Sequence, residues 1–167
     1  PKVLQYKDKT KFEYAGGAGG FIDKFGYPFC RGRLFSSIEE DKGQYNDERQ
    51  IFWASGACMM VRRVDFVDYG GLDENFFTHQ EEIDFCWRVN SRGRKVFYIP
   101  SSVVYHLGGG TLEQSNPRKT YYNFRNNMLM IYKNLNTSRL IPLAIIRFFL
   151  DYLAAFVYLI TLQPKLS

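Results

Sequence analysis

Histidine is scarce in this chain: 2 in 167 residues, alongside 3 cysteines, Cys30, Cys58 and Cys86, that stand far apart with no CxxC pair. A metal site needs several ligating side chains brought together, so the chain alone is not expected to build one. An odd number of scattered cysteines gives no disulfide framework and fits reduced thiols in a cytosolic compartment. No Asp-x-Asp occurs, and no strand–glycine turn–helix unit of the phosphate-cradling kind. No signal-peptide pattern is found, and the chain opens mid-phrase, on "PKVLQYKDKT", as though cut from something longer. Dense charge of one sign is also lacking. The net +5 is spread over small clusters (Lys2, Lys7, Lys9, Lys11; Arg62, Arg63; Arg92, Arg94, Lys95). That is too diffuse for a nucleic-acid surface and fits affinity for phosphates or an anionic membrane.

Apolar residues are plentiful, at 46%, and aromatics reach 17%. A chain of this size and composition forms one domain with a real core, and the aromatics suit a packed interior or a cleft that stacks sugars. Residues 1–20 read as a linker or incomplete edge, 20–35 as a structured loop and 36–50 as a solvated loop. "IFWASGACMMVRR" (51–63) reads as a buried strand. Gly70-Gly71 interrupts any regular element. Residues 78–90 read as a helix, 94–100 as a strand stopped by Pro100, and 102–110 as a short strand running into "GGG". Pro117 suits a first helical turn, and helices are expected over 117–135 and 139–162. Alternating strands and helices make the class α/β. The expected division is a loop-rich start at 1–50, a half-domain at 51–135 and an apolar helix at 136–167.

"THQEEIDFCWR" sets Glu81, Glu82 and Asp84 side by side before an apolar run. Thr78 and Glu81 have capping-box spacing, acids suit a first helical turn, and Asp84 and Arg88 are spaced for a helical ion pair. Glu82 is left over. Its helical neighbours are Phe85, Cys86 and Val89, and a carboxylate on the rim of an apolar surface is desolvated and made more basic, as a general base requires.

"WASGACMMVRR", "GGLDENFF", "EEIDFCWR" and "VVYHLGG", in this order and spacing, resemble the C-terminal half of family 2 glycosyltransferases, with rhamnosyltransferase-like surface-polysaccharide enzymes the nearest subgroup. The resemblance covers about residues 53–127. It implies the acceptor-binding part of a GT-A type α/β fold and inverting transfer, hexosyl or deoxyhexosyl, from a nucleotide-sugar donor to a saccharide or lipid-linked acceptor. The family's Glu-Asp pair heads a helix and its second acid is the base. That position is Glu82 here, with Glu where Asp is usual, so the carboxylate reaches about one methylene further. The resemblance further implies acceptor contacts from Trp53, Ser55, Gly56, Glu81 and Asp84, and donor-diphosphate contacts from Arg125 and His106. His106 also becomes a candidate metal ligand. A divalent cation, Mg or Mn, is expected, with its main ligands outside these residues. For each of these residues an ordinary structural account stays open: core packing for Trp53, a hydrogen-bonded strand end for His106, helix-surface charge for Arg125. On this reading the chain is an acceptor half without its donor half, inactive by itself.

The last helix, "IPLAIIRFFLDYLAAFVYLITL", is nearly long enough to span a bilayer. Arg147 and Asp151 interrupt it at a cost in mid-membrane, leaving three alternatives: spanning, lying in the interface, or packing on a partner or second copy in a homodimer. A cytoplasmic enzyme peripheral on the inner face of the cell membrane fits the family. The rival from another class is a non-catalytic membrane-docking module in which the acids only cap a helix. A metal-dependent hydrolase is disfavoured by the scarcity of histidine.

Overall fold

The computed structural model describes residues 1–108 and 117–162, and in it the first residues are no linker. β1 (Lys2–Gln5) lies parallel to β8 (Val103–His106), Lys2 opposite Val103 and Gln5 opposite His106. Val3 and Phe12 are fully buried, so the apolar residues of the opening segment belong to the core rather than to a solvated tail. Residues 1–50 carry further short strands. They add the hairpin of β2 (Gly20–Ile22) and β3 (Pro28–Cys30), the tighter hairpin of β4 (Arg33–Leu34) and β5 (Ser37–Ile38), and β6 (Arg49–Ile51), which pairs antiparallel with β7 (Val96–Tyr98). The described strands form two-stranded sheets within a mixed α/β architecture.

The long strand expected over 51–63 is cut short. Ladder pairing ends at Ile51, with a single further bridge between Gly20 and Trp53. The chain then turns where the Cys58 amide donates to the Ser55 carbonyl. α1 (Arg63–Asp68), a helix with no buried residue, takes up the end of the stretch read as strand. Continuous apolar sequence does not distinguish a strand from a segment that lines a cavity, and Met59 and Val61 do the latter.

α2 (Glu81–Ser91) buries Ile83, Asp84, Phe85, Cys86 and Val89. It packs against α3 (Pro117–Asn134), which agrees with the helix expected there. One core cluster gathers Cys30, Trp53, Phe76, Ile83, Cys86 and Met130; a second gathers Leu4, Phe12, Ala18, Ile51 and Tyr98. Trp53 closes the first by lying flat on Gly20, where an added Cβ would stand 2.0 Å from the indole. No larger residue fits there.

α4 (Thr137–Leu162) is long and apolar enough to cross a membrane over Thr137–Val157. It is pinned to the domain by its two interior charges. Arg147 is fully buried, stacks 3.7 Å from the Tyr27 ring centroid and donates to the Phe25 carbonyl. Asp151 accepts from Arg147 at 3.2 Å and from the Tyr27 hydroxyl at 2.6 Å. Burial and the Asp151 carboxylate push the Tyr27 phenol up to about 12.

Candidate functional site

A cavity of about 500 Å³ opens beside the start of α2, lined by Gly56, Met59, Val61, Arg63, Phe66, Leu72, Glu81 and Glu82. The turn after β6 supplies Gly56, α1 supplies Arg63 and Phe66, and the first turn of α2 supplies the two acids. Glu82 Oε2 and Glu81 Oε2 are both shut off from solvent without a hydrogen-bond partner. Burial first, and the neighbouring Glu81 charge second, push the Glu82 carboxyl up to about 7, against the partial relief of backbone amides at Glu82, Gly56 and Gln80. The result is a carboxylate that accepts a proton readily near neutral pH, at the wall of a space that admits a ligand. Burial likewise pushes the Cys86 thiol up to about 12, so it stays neutral.

How the chain enters α2 differs from the capping box the sequence suggests. The helix begins at Glu81, its N-cap is Gln80 in the left-handed region (φ 70°), and no side chain caps it. Phe77 (φ 63°) and His79 (φ 69°) are left-handed as well. Non-glycine residues held there cost roughly 1–3 kcal/mol each, and α3 offsets that cost. The Asn126 amide, fully buried, donates to the carbonyls of Phe76 (2.9 Å), Thr78 (2.7 Å) and His79 (2.8 Å). Gln80 donates to the Asn123 carbonyl at 2.8 Å and accepts from Asn127 at 3.3 Å. Burial, then Lys119, lowers the His79 imidazole from its ordinary range.

Of the residues singled out from sequence, Gly56, Glu81 and Glu82 come together on the cavity wall. The rest lie elsewhere. Trp53 is core, its indole N–H donating to the Phe21 carbonyl at 2.8 Å. Ser55 is buried in the turn, its Oγ accepting from the Ala57 amide. Asp84, expected to touch an acceptor, is fully buried and held by Arg88 (2.8 Å), Lys133 (3.1 Å) and Asn134 (2.8 Å). Its helical pairing with Arg88 is as the spacing suggests. Arg125 donates to the Asn75 carbonyl and packs on Tyr122. His106 sits at the end of β8, Nδ1 3.5 Å from Glu13 Oε1. Met59, Val61, Phe66 and Leu72 were not singled out, although the run "CMMV" and the Gly70-Gly71 break flank them.

Among the described residues no group of three ligating side chains could hold a metal ion. Among the described residues Glu13 is the carboxylate paired with His106, and it also accepts from the Ala15 amide at 2.5 Å. The described residues therefore do not by themselves fit a divalent cation, and Gly109 and Gly110 of the glycine run lie outside them.

In sequence, parts of the chain are similar to curated glycosyltransferases. N-acetylglucosaminyl-diphospho-decaprenol L-rhamnosyltransferase of Mycobacterium tuberculosis is 41% identical over 59 residues, 35% of this chain and 19% of that protein. Rhamnosyltransferase WbbL of Escherichia coli is 37% identical over 56 residues, 34% of this chain and 21% of its own. The dTDP-rhamnosyl transferase RfbF of Shigella flexneri is 27% identical over 147 residues, 80% of this chain and 48% of its own. The chain thus spans between about a fifth and a half of the length of these relatives. No protein-family model and no solved structure matches it.

Proposed function

We propose that this chain is the acceptor-side part of an inverting, GT-A type glycosyltransferase of polysaccharide biosynthesis, with Glu82 as its general base. The observation that carries the reading is Glu82 itself: a carboxyl oxygen buried without a partner, on the wall of a cavity that pairs carboxylates with an apolar lining. Relatives whose names specify rhamnosyl transfer support it. Glu82 takes the proton from an acceptor hydroxyl. That oxygen forms a bond to the anomeric carbon of a nucleotide-sugar, the bond from that carbon to the diphosphate oxygen breaks, and the nucleoside diphosphate leaves with the electron pair. Met59, Val61, Phe66 and Leu72 keep water from the base, and Glu81 keeps its basicity high. Arg63, on the same wall, is a cation for an anionic part of either substrate.

A saccharide or lipid-linked acceptor suits a cavity with both carboxylates and apolar surface. A divalent cation is proposed to bind residues beyond those described, and no step above runs through it. The apolar α4 and the net positive charge support a cytoplasmic enzyme peripheral on the inner membrane face. The test is Glu82→Gln in the full-length enzyme, supplied with a panel of nucleotide-sugars. Transfer is expected to fall by about 10²-fold or more with donor binding retained. A variant keeping more than about a tenth of the rate removes the base assignment.

A further inference from the structure

We infer that Asn126 is a positioning residue for Glu82: its amide holds the left-handed segment 77–80, and that segment fixes where the helix carrying Glu82 begins. The inference rests on the general-base reading of Glu82. Three non-glycine residues in four positions take positive φ immediately before Glu81. Nothing in α2 demands this, since the N-cap side chain bonds no amide of the helix. The constraint comes from across the interface. One –NH₂ group has two hydrogens, yet Asn126 Nδ2 lies within 2.7–2.9 Å of three turn carbonyls, at Phe76, Thr78 and His79. A buried donor shared among three acceptors is a geometric lock: it is satisfied only while all three oxygens converge. Its own Oδ1 is left buried without a partner, so the side chain is committed to the donor role. Asn127 extends the lock by joining Gln80 to the Gly26 carbonyl at 2.8 Å.

The Gln80 carbonyl accepts the first helical bond, from the Asp84 amide at 2.9 Å. A relaxed segment would therefore rotate the first turn and carry Glu82 off the cavity wall. Misplacement of a base by about 1 Å is enough for about a 10²-fold loss. The titratable and charged groups around Glu82 are Glu81 beside it, Cys86 one turn on, His79 in the entering segment and Arg63 across the cavity. Neutral replacements of Asn126 add no charge to this set, so a shift in the base's titration reports a rearrangement of the segment and of the first turn.

The experiment compares Asn126→Leu, similar in shape with neither donor nor charge, and Asn126→Ser, which keeps one donor, in the full-length enzyme beside Glu82→Gln. Expected are a kcat lowered about 10- to 100-fold per folded molecule, a donor KM unchanged within about twofold, and an acid limb of kcat against pH moved down by about one unit or more as the carboxylate gains water. The serine variant should lie between wild type and leucine, and it carries the test if the leucine variant does not fold. If Glu82→Gln is inactive while the folded asparagine variant keeps both its kcat and its acid limb, the positioning role is overturned and the base remains. If Glu82→Gln keeps its rate, both readings fall.

Discussion

At the scale of single residues, Glu82 leaves a trace that needs no substrate. A carboxyl whose folded value is raised to about 7 binds more protons folded than unfolded between the ordinary carboxylate range and 7. Stability must therefore fall as pH rises through that window and reach its full deficit above it. Removing the charge removes the deficit. Glu82→Gln is expected to be more stable than wild type by about 2–3 kcal/mol at pH 8, with the difference closing near pH 4. Paired thermal or urea melts across pH 4–8 check this, and parallel curves would show that Glu82 is solvated. The same burial predicts that transfer rises with pH through about 7, since only the ionised carboxylate takes a proton. Stability and activity then have opposite slopes, as expected where a basic group is kept dry for use.

At the scale of elements, the decisive joint is between α3 and the segment leading to α2. Lys133 reaches Asp73 at 2.5 Å and Asp84 at 3.1 Å, and with the Asn75 amide it holds the Asp73 carboxyl well below its usual range, at about 2. Lys133→Met is expected to cost about 1–3 kcal/mol, because Asp84 stays buried with Arg88 as its remaining cation. The depressed carboxyl contributes stability above the ordinary carboxylate range and loses it as pH falls toward 2. The gap between wild type and variant should therefore narrow in acid, as urea melts at pH 7 and pH 3 would show. These long-range bonds mark what the sequence leaves illegible. Helices α3 and α4 were readable because apolar periodicity and Pro117 are local signals, and Glu82 was readable because its helical neighbours are. Thr78 and Glu81 fit a capping box as well as any pair does, yet Asn126 overrides that local option from another helix. The spacing gives Asp84 only Arg88 and the resemblance gives it an acceptor contact, because Lys133 and Asn134 come to it only through the fold. β1 was misread because a four-residue parallel strand acquires its meaning from β8, about a hundred residues away.

At the scale of the whole molecule, α4 is the element with the length and apolarity to meet a bilayer. Arg147 is the midpoint of the apolar span, ten residues from Thr137 and ten from Val157, or about 15 Å of helix from either end. The Tyr27 ring and the Phe25 carbonyl sit on that midpoint. A spanning helix would drag the loop that carries exposed Lys24 to the centre of the membrane, against a cost of several kcal/mol for each uncompensated polar group. Between Leu140 and Leu162 the only charges are Arg147 and Asp151, and both turn inward. The opposite face exposes Ile141, Ile145, Phe148, Phe149, Tyr152, Phe156 and Ile160. A protein partner would ordinarily find about one hydrogen bond per 100–200 Å²; this face offers little beyond the Tyr152 hydroxyl, which suits the interface of a lipid leaflet. Basic residues elsewhere add roughly 1 kcal/mol each near anionic headgroups. The full-length protein is therefore expected to float with anionic liposomes and to be released by carbonate washing. Replacing Phe149, Tyr152 and Phe156 by serine should abolish flotation while leaving the Arg147–Tyr27 contact intact. Retention through carbonate would mean that α4 crosses the bilayer. Concentration-dependent dimerisation without flotation would mean that this face is covered by a second copy.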